Sequence, residues 1–294
     1  MAEPVVLEGE LAGRIEDDDA AAEAQRFAVR VAAGVCLVLF ARGFRRLRAR
    51  RREYADWGRV ALFAGSVAAG LLALSAPLDE LAESSLAAHM LQHVLLIDVV
   101  PALGLLALRG PLLLFVVPEF LLRGVARSAR ARTILVAVTR PLVAFGIWAL
   151  VLALWHVPAI YDATLASEAL HVLEHLSFVV AGTLAWIQVV DPARRHALST
   201  GGRLGFLLAM FVVGQMLATT LVLAQSSVYE EYARPGDQLF GMSALEDQHA
   251  AGFLMMLEQM LVLGVAAAFL IRRHLDESSE TRAAGEPSAH PFTA

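Results

Sequence analysis

Residues 84–108 read SSLAAHMLQHVLLIDVVPALGLLAL. At about 1.5 Å of rise per residue this stretch is long enough, as a helix, to cross a hydrocarbon layer of about 30 Å. It is apolar enough to stay there, yet it carries His89, Gln92, His93 and Asp98. Lipid offers the backbone no hydrogen-bonding partner, so a segment at that depth must be helical. Its polar side chains must then face other protein segments. His89 and His93 are four residues apart, which stacks both imidazoles on one helix face. His93 lies on the order of 13 Å below Ser84, well inside the membrane.

Six more stretches have the same character: Phe27–Phe44, Trp57–Ser75, Arg140–His156, Glu168–Val190, Arg203–Ala224 and Gln248–Ile271. The chain of 294 residues is 57% hydrophobic with mean hydropathy +0.60, and only 18% is charged. A soluble domain carries about 25% charge. The expected fold is therefore all-α, an integral membrane bundle of seven transmembrane helices spanning 26–275. The acidic segment 1–25 is read as a solvated N-terminal tail, and polar 276–294 as a disordered C-terminal one. The acidic start is unlike a signal peptide, which begins basic.

Arginine orients the bundle; the sequence has no lysine. Arg45, Arg46, Arg48, Arg50, Arg51 and Arg52 follow span 1. Arg109, Arg123, Arg127, Arg130 and Arg132 follow span 3, Arg194 and Arg195 follow span 5, and Arg272 and Arg273 follow span 7. The alternate loops are acidic, with Arg234 as their one arginine and Asp237 among their acids. Positive loops stay in the cytoplasm, so the N-terminus is outside, the C-terminus is cytoplasmic, and the bacterial plasma membrane is the expected location. The net charge of −5 averages segments of opposite sign. Pro111–Leu122 is apolar but too short to span, and reads as an interfacial or re-entrant piece on the cytoplasmic side. Cys36 is the single cysteine, which excludes a disulfide framework or a CxxC metal site within the chain. There is no phosphate-binding glycine loop and no G-x-S-x-G. The arginine runs hug span ends, so they are topology signals and not nucleic-acid contacts.

On this topology His89, His93, His156, His171, His175 and His249 all fall at outward-facing span ends. His196, His274 and His290 do not. His171 and His175 repeat the four-residue spacing on span 5. Imidazole is the commonest protein metal ligand, so six histidines at one depth predict a metal or haem site. On a straight helix Met256 and Met260 share the His249 face, a hint of soft-ion binding. Methionine is equally an ordinary core filler. Asp98 points nearly opposite His89, and Glu258 nearly opposite His249, so both read as pathway or pairing groups. Glu174 completes H-x-x-E-H, formally an inverted zinc-peptidase motif; the preferred readings are a group that holds an imidazole tautomer from behind or a simple acid near a helix N-terminus. A haem-binding membrane protein and a copper or proton transporter are the other classes considered.

Four segments carry a family resemblance: HMLQHVLLIDVVPAL (89–103), WHVPAIYDATL (155–165), HVLEHLSFVVAGTLAW (171–186) and LEDQHAAGFLMML (245–257). In this order they resemble the CtaG-type cytochrome c oxidase assembly factors, the multi-span branch associated with caa-type oxidases. The resemblance implies seven spans, no catalysis, and a role in maturing a haem–copper oxidase, often discussed as copper delivery. Its partners would be oxidase subunits and extracytoplasmic copper chaperones. By position it carries over His89, His93, His156, Tyr161, Asp162, His171, Glu174, His175, Asp247 and Gln248. His249 and Met256 depart from the family pattern.

Overall fold

The computed structural model describes residues 3–233 and 241–285, with side chains described for 23–232 and 241–279. Arg234, Asp237 and His290 lie outside the described residues. The helices are α1 (Glu3–Arg50), α2 (Trp57–Ala73), α3 (Leu78–Ala82), α4 (Leu86–Val94), α5 (Val100–Ala107), α6 (Leu112–Val116), α7 (Glu119–Arg127), α8 (Ala129–Val138), α9 (Pro141–Trp155), α10 (Pro158–Leu165), α11 (Glu168–Val190), α12 (Thr200–Leu223) and α13 (Ala244–Gly285). There is no strand among the described residues. A π-helical turn, Leu95–Val99, joins α4 to α5 without a break, so that Leu86–Ala107 is one helix.

Local chemistry sets the starts. Asp56, Ser85, Ser128 and Ser199 each accept a backbone N–H of the first turn of α2, α4, α8 and α12, satisfying donors that a helix leaves open. Proline at the first position begins α9 and α10, where its missing N–H costs nothing.

Among the described residues, five helices are long and apolar enough to cross a membrane: Glu23–Arg50, Leu86–Ala107, Glu168–Val190, Thr200–Leu223 and Ala244–Ser279. The protein is thus an all-helical, multi-pass membrane protein. Two of the expected seven spans take a different form. The expected Arg140–His156 span is α9, continuous but only 15 residues long, about 22 Å. It reaches membrane length only together with α8, to which it is bent by 73°. The bend falls at Pro141, and proline both stops an incoming helix and keeps the residue before it out of the helical region. The second, α2, has 17 residues. The Pro111–Leu122 stretch forms the short α6 and the start of α7, interrupted at Pro118. Helix also continues through 3–25 into α1 and through 276–285 out of α13, where composition alone suggested separate tails.

Large apolar side chains face outward along the long helices, including Leu142, Val180, Leu208 and Val265. Such faces are stable in lipid and would be a liability in water. Inside, α5, α9, α11, α12 and α13 share a core around Trp148, Phe178, Trp186 and Met210. A second core of Met90, Tyr161, Tyr229 and Met255 fills the end where α4, α11 and α13 begin. Gly182 of α11 lies against the π turn: a Cβ there would sit 1.9 Å from the Ile97 carbonyl oxygen. Only a missing side chain lets these two backbones approach so closely.

Candidate metal centre

The depth of the α4 histidines is set by a clamp from α13. One carboxylate, Asp247, accepts from Ser85 Oγ (2.8 Å), Leu86 N (2.6 Å) and Ala87 N (3.3 Å). An acid on the first N–H groups of a helix is favoured by both hydrogen bonding and the helix dipole. Gln248, the next residue, donates to Leu221 O (3.1 Å) and accepts from Val228 N (2.7 Å), which ties down the chain beyond α12. Asp247 thus builds the frame of the site.

That frame brings His89, His93, His171 and His175 together. Ring centroids are 4.5 Å apart for His89–His93, 5.1 Å for His89–His171, 4.2 Å for His171–His175 and 5.5 Å for His93–His175. Ligand-capable atoms of His89, His93 and His175 lie within 4.8 Å of one another, as do those of His89, His171 and Glu174. Glu174 is fully buried, with Oε1 at 3.5 Å from His93 Nε2 and Oε2 at 3.9 Å from His89 Nε2. Its carboxylate therefore stands among the imidazoles, not behind them as expected for a group that only orients a histidine. Tyr161, wholly buried, packs its ring 5.3 Å from His89.

Tyr232, which sequence reasoning missed, takes the orienting role. Its hydroxyl donates to Ala82 O at 2.6 Å and lies 2.9 Å from His89 Nδ1. Burial pushes this phenol well above its usual pKa, so it stays neutral with one hydrogen. With that hydrogen given to Ala82 O, the phenol oxygen is placed to accept from His89 Nδ1–H. The lone pair of His89 then sits on Nε2, facing the cluster. Nothing in the sequence signals this, because Tyr232 lies 143 positions from His89 in a loop.

The unsatisfied atoms are the informative ones. The Nε2 atoms of His89, His93, His156, His171 and His175 and both Glu174 oxygens are buried with no hydrogen-bond partner among the described residues. Buried polar groups are almost always paired, and an isolated buried carboxylate is far more costly than a neutral group. Several lone pairs and a carboxylate aimed at one another are the donor set of a cation. The residues fit a metal ion with nitrogen and oxygen preference.

His156 sits one step away. Its Nδ1 donates to Leu152 O at 2.8 Å, which leaves Nε2 free. With His93, Met90, Met255, Asp98 and Glu258 it lines a small cavity of about 20 Å³, room for one water. Asp98 accepts from Trp186 Nε1 at 2.7 Å, whereas both Glu258 oxygens are covered and unpaired among the described residues. A straight helix would turn Asp98 nearly opposite His89. The π turn bonds i to i+5, so each residue advances by less than in an α-helix and Asp98 swings back to the histidine side.

Other expected residues fall elsewhere. His249 Nε2 donates to Ala224 O at 3.1 Å, because its face of α13 meets the end of α12 and not the cluster. Met260 shares that outward bias and is 62% exposed. Met256 is half-buried and packs in the core around Tyr161, and it is Met255 that reaches the cavity. Asp162 is half-buried with Oδ1 covered and unpaired among the described residues.

A helical membrane protein with an imidazole–carboxylate cluster at one end of its bundle is the class that fold and site define. The family model of the cytochrome c oxidase caa3 assembly factor matches residues 38–277, most of the chain, and the protein belongs to that family. Comparison with curated proteins and with solved structures returns no significant match.

Proposed function

We propose that this assembly factor binds copper at the cluster of His89, His93, His171, His175 and Glu174 and supplies it to a maturing haem–copper oxidase, without catalysing a reaction itself. The observation that carries the reading is the set of buried, unpaired Nε2 atoms around an unpaired carboxylate. Metal affinity at nitrogen and oxygen donors rises to a maximum at Cu²⁺ in the divalent series, which favours copper over zinc. The adjoining cavity of about 20 Å³ has no room for a porphyrin, which disfavours haem. The two possible ligand triads share His89. The one with half-buried His171 is nearer the surface; the one with His93 is wholly buried. An ion passing between them keeps His89 throughout, a geometry suited to holding and releasing cargo.

In this reading the chain has seven spans: the five long helices, α2, and the broken span containing α9. The arginine-rich ends face the cytoplasm of a bacterium, the N-terminus is outside, and the histidine cluster opens outward to oxidase subunits and copper chaperones. The test is elemental analysis of the purified protein, with His89→Ala and His175→Ala. Copper in the parent that falls several-fold in both variants is expected; unchanged metal in both sinks the cluster as the site. Zinc in place of copper would keep the site and change the cargo.

A further inference from the structure

The end of the molecule opposite the histidines holds a cleft of about 590 Å³ bounded by α2, α5, α11 and α13, within the range of cavities that bury a small amphiphile. Leu62, Leu103, Val189 and Val265 are among its apolar walls, and Arg109, Arg203 and Arg273 are the charged residues on its lining. All three lie away from the cluster: Arg109 just after α5, Arg203 in the first turn of α12, Arg273 far along α13.

Two of these arginines, Arg109 and Arg203, differ from those that merely mark topology, whereas Arg273 is exposed. Arg45, Arg46 and Arg50 are exposed. Arg203 is buried and paired with Asp191 at 3.1 Å, and Arg273 is paired with Glu277 at 2.8 Å. Arg109 is half-buried, its Nε is covered, and neither a hydrogen bond nor an ion pair partners its side chain among the described residues. Burial, and then the nearby charges of Arg273, Arg194 and Arg203, push its guanidinium below the usual pKa. An apolar cleft that ends in an excess of positive charge at the membrane boundary is complementary to one kind of molecule: an apolar chain with an anionic head.

We infer that this cleft is a binding site for an anionic phospholipid, with an acyl chain along α5 and α13 and the phosphate held by Arg109 beside Arg203 and Arg273. The inference stands on a different end of the molecule from the copper reading and is independent of it.

Native mass spectrometry of the full chain, released from detergent after incubation with phosphatidylglycerol or phosphatidylcholine of identical acyl chains, tests it. The parent protein should retain the anionic lipid preferentially. Arg109→Gln should reduce that preference about fivefold, the equivalent of one interfacial cation, with metal content unchanged. Arg109→Lys should keep the preference. Ala266→Phe, which fills the cleft, should lower retention of the anionic lipid with the arginines intact. Equal retention of both lipids by the parent would mark an ordinary lipid-facing groove and overturn the inference. So would an unchanged preference in Arg109→Gln, or unchanged retention in Ala266→Phe. Cross-links from position 265 to a second protein chain in place of lipid would overturn it too.

Discussion

At the arginine end, the buried carboxylate is answered by protein. Asp191 closes α11 and is 7% exposed; it accepts from Arg195 N at 2.7 Å and His196 N at 2.9 Å, and pairs with Arg203 at 3.1 Å. Arg195 reaches on to Thr139 Oγ1, and Gln188 donates to Thr139 O. At the histidine end, Glu174 is equally buried but accepts no hydrogen bond among the described residues, and imidazole nitrogens stand at 3.5 and 3.9 Å from it. The same chain therefore knows how to pair a buried carboxylate and does so where the carboxylate holds helices together. Where it does not, the vacancy in bonding is a feature of the site. On the proposed reading, a buried carboxylate left unpaired, Glu174, and buried carboxylates that are paired, Asp191 and Asp247, separate binding from scaffolding more sharply than residue type does.

Variants can break or sharpen that contrast. Asp191→Ala should have the largest effect on stability, about 3–5 kcal/mol, because it strands a buried arginine. Thermal denaturation in detergent should show the loss, while metal per folded molecule stays at the parent level. Gly182→Ala comes next. Its Cβ meets the Ile97 carbonyl, and overpacking of this kind costs about 1–3 kcal/mol. It should lower thermal stability and, by pushing α11 from the π turn, also lower metal content. Glu174→Gln should act the other way round. Removing an unpaired buried charge leaves metal-free stability within about 1 kcal/mol of the parent or above it, whereas bound metal measured by elemental analysis falls several-fold. A marked destabilisation of the metal-free variant would mean that Glu174 is scaffold after all. His249→Ala should do least, within about 0.5 kcal/mol, with metal content unchanged; loss of metal there would enlarge the site to α13.

Much of this was legible in the sequence. Apolar runs near membrane length mark most of the helices, and four-residue spacing puts His89 with His93 and His171 with His175 on shared faces. Both follow from helix periodicity, which is local. What escaped is not local. Tyr232 reaches His89 from a loop, Asp247 caps a helix more than 150 positions away, and no spacing rule joins such pairs. The break between α8 and α9 falls at Pro141, where the expected span begins, so α9 was legible while α8, which precedes Arg140, was not read as part of a span. Asp98 was misaimed because projection at a constant angle assumes an unbroken α-helix, and the π turn violates that assumption at the one place where it matters.

That turn has a further consequence. Above it, α4 presents its histidines to α11; below it, α5 presents Ala102, Leu103 and Leu106 to the apolar cleft. The extra residue works as a fixed phase offset in a single shaft, so the two halves of one helix are indexed to different neighbours. Shortening Leu95–Val99 by one residue would leave either half intact in sequence and still turn one of them to the wrong partner.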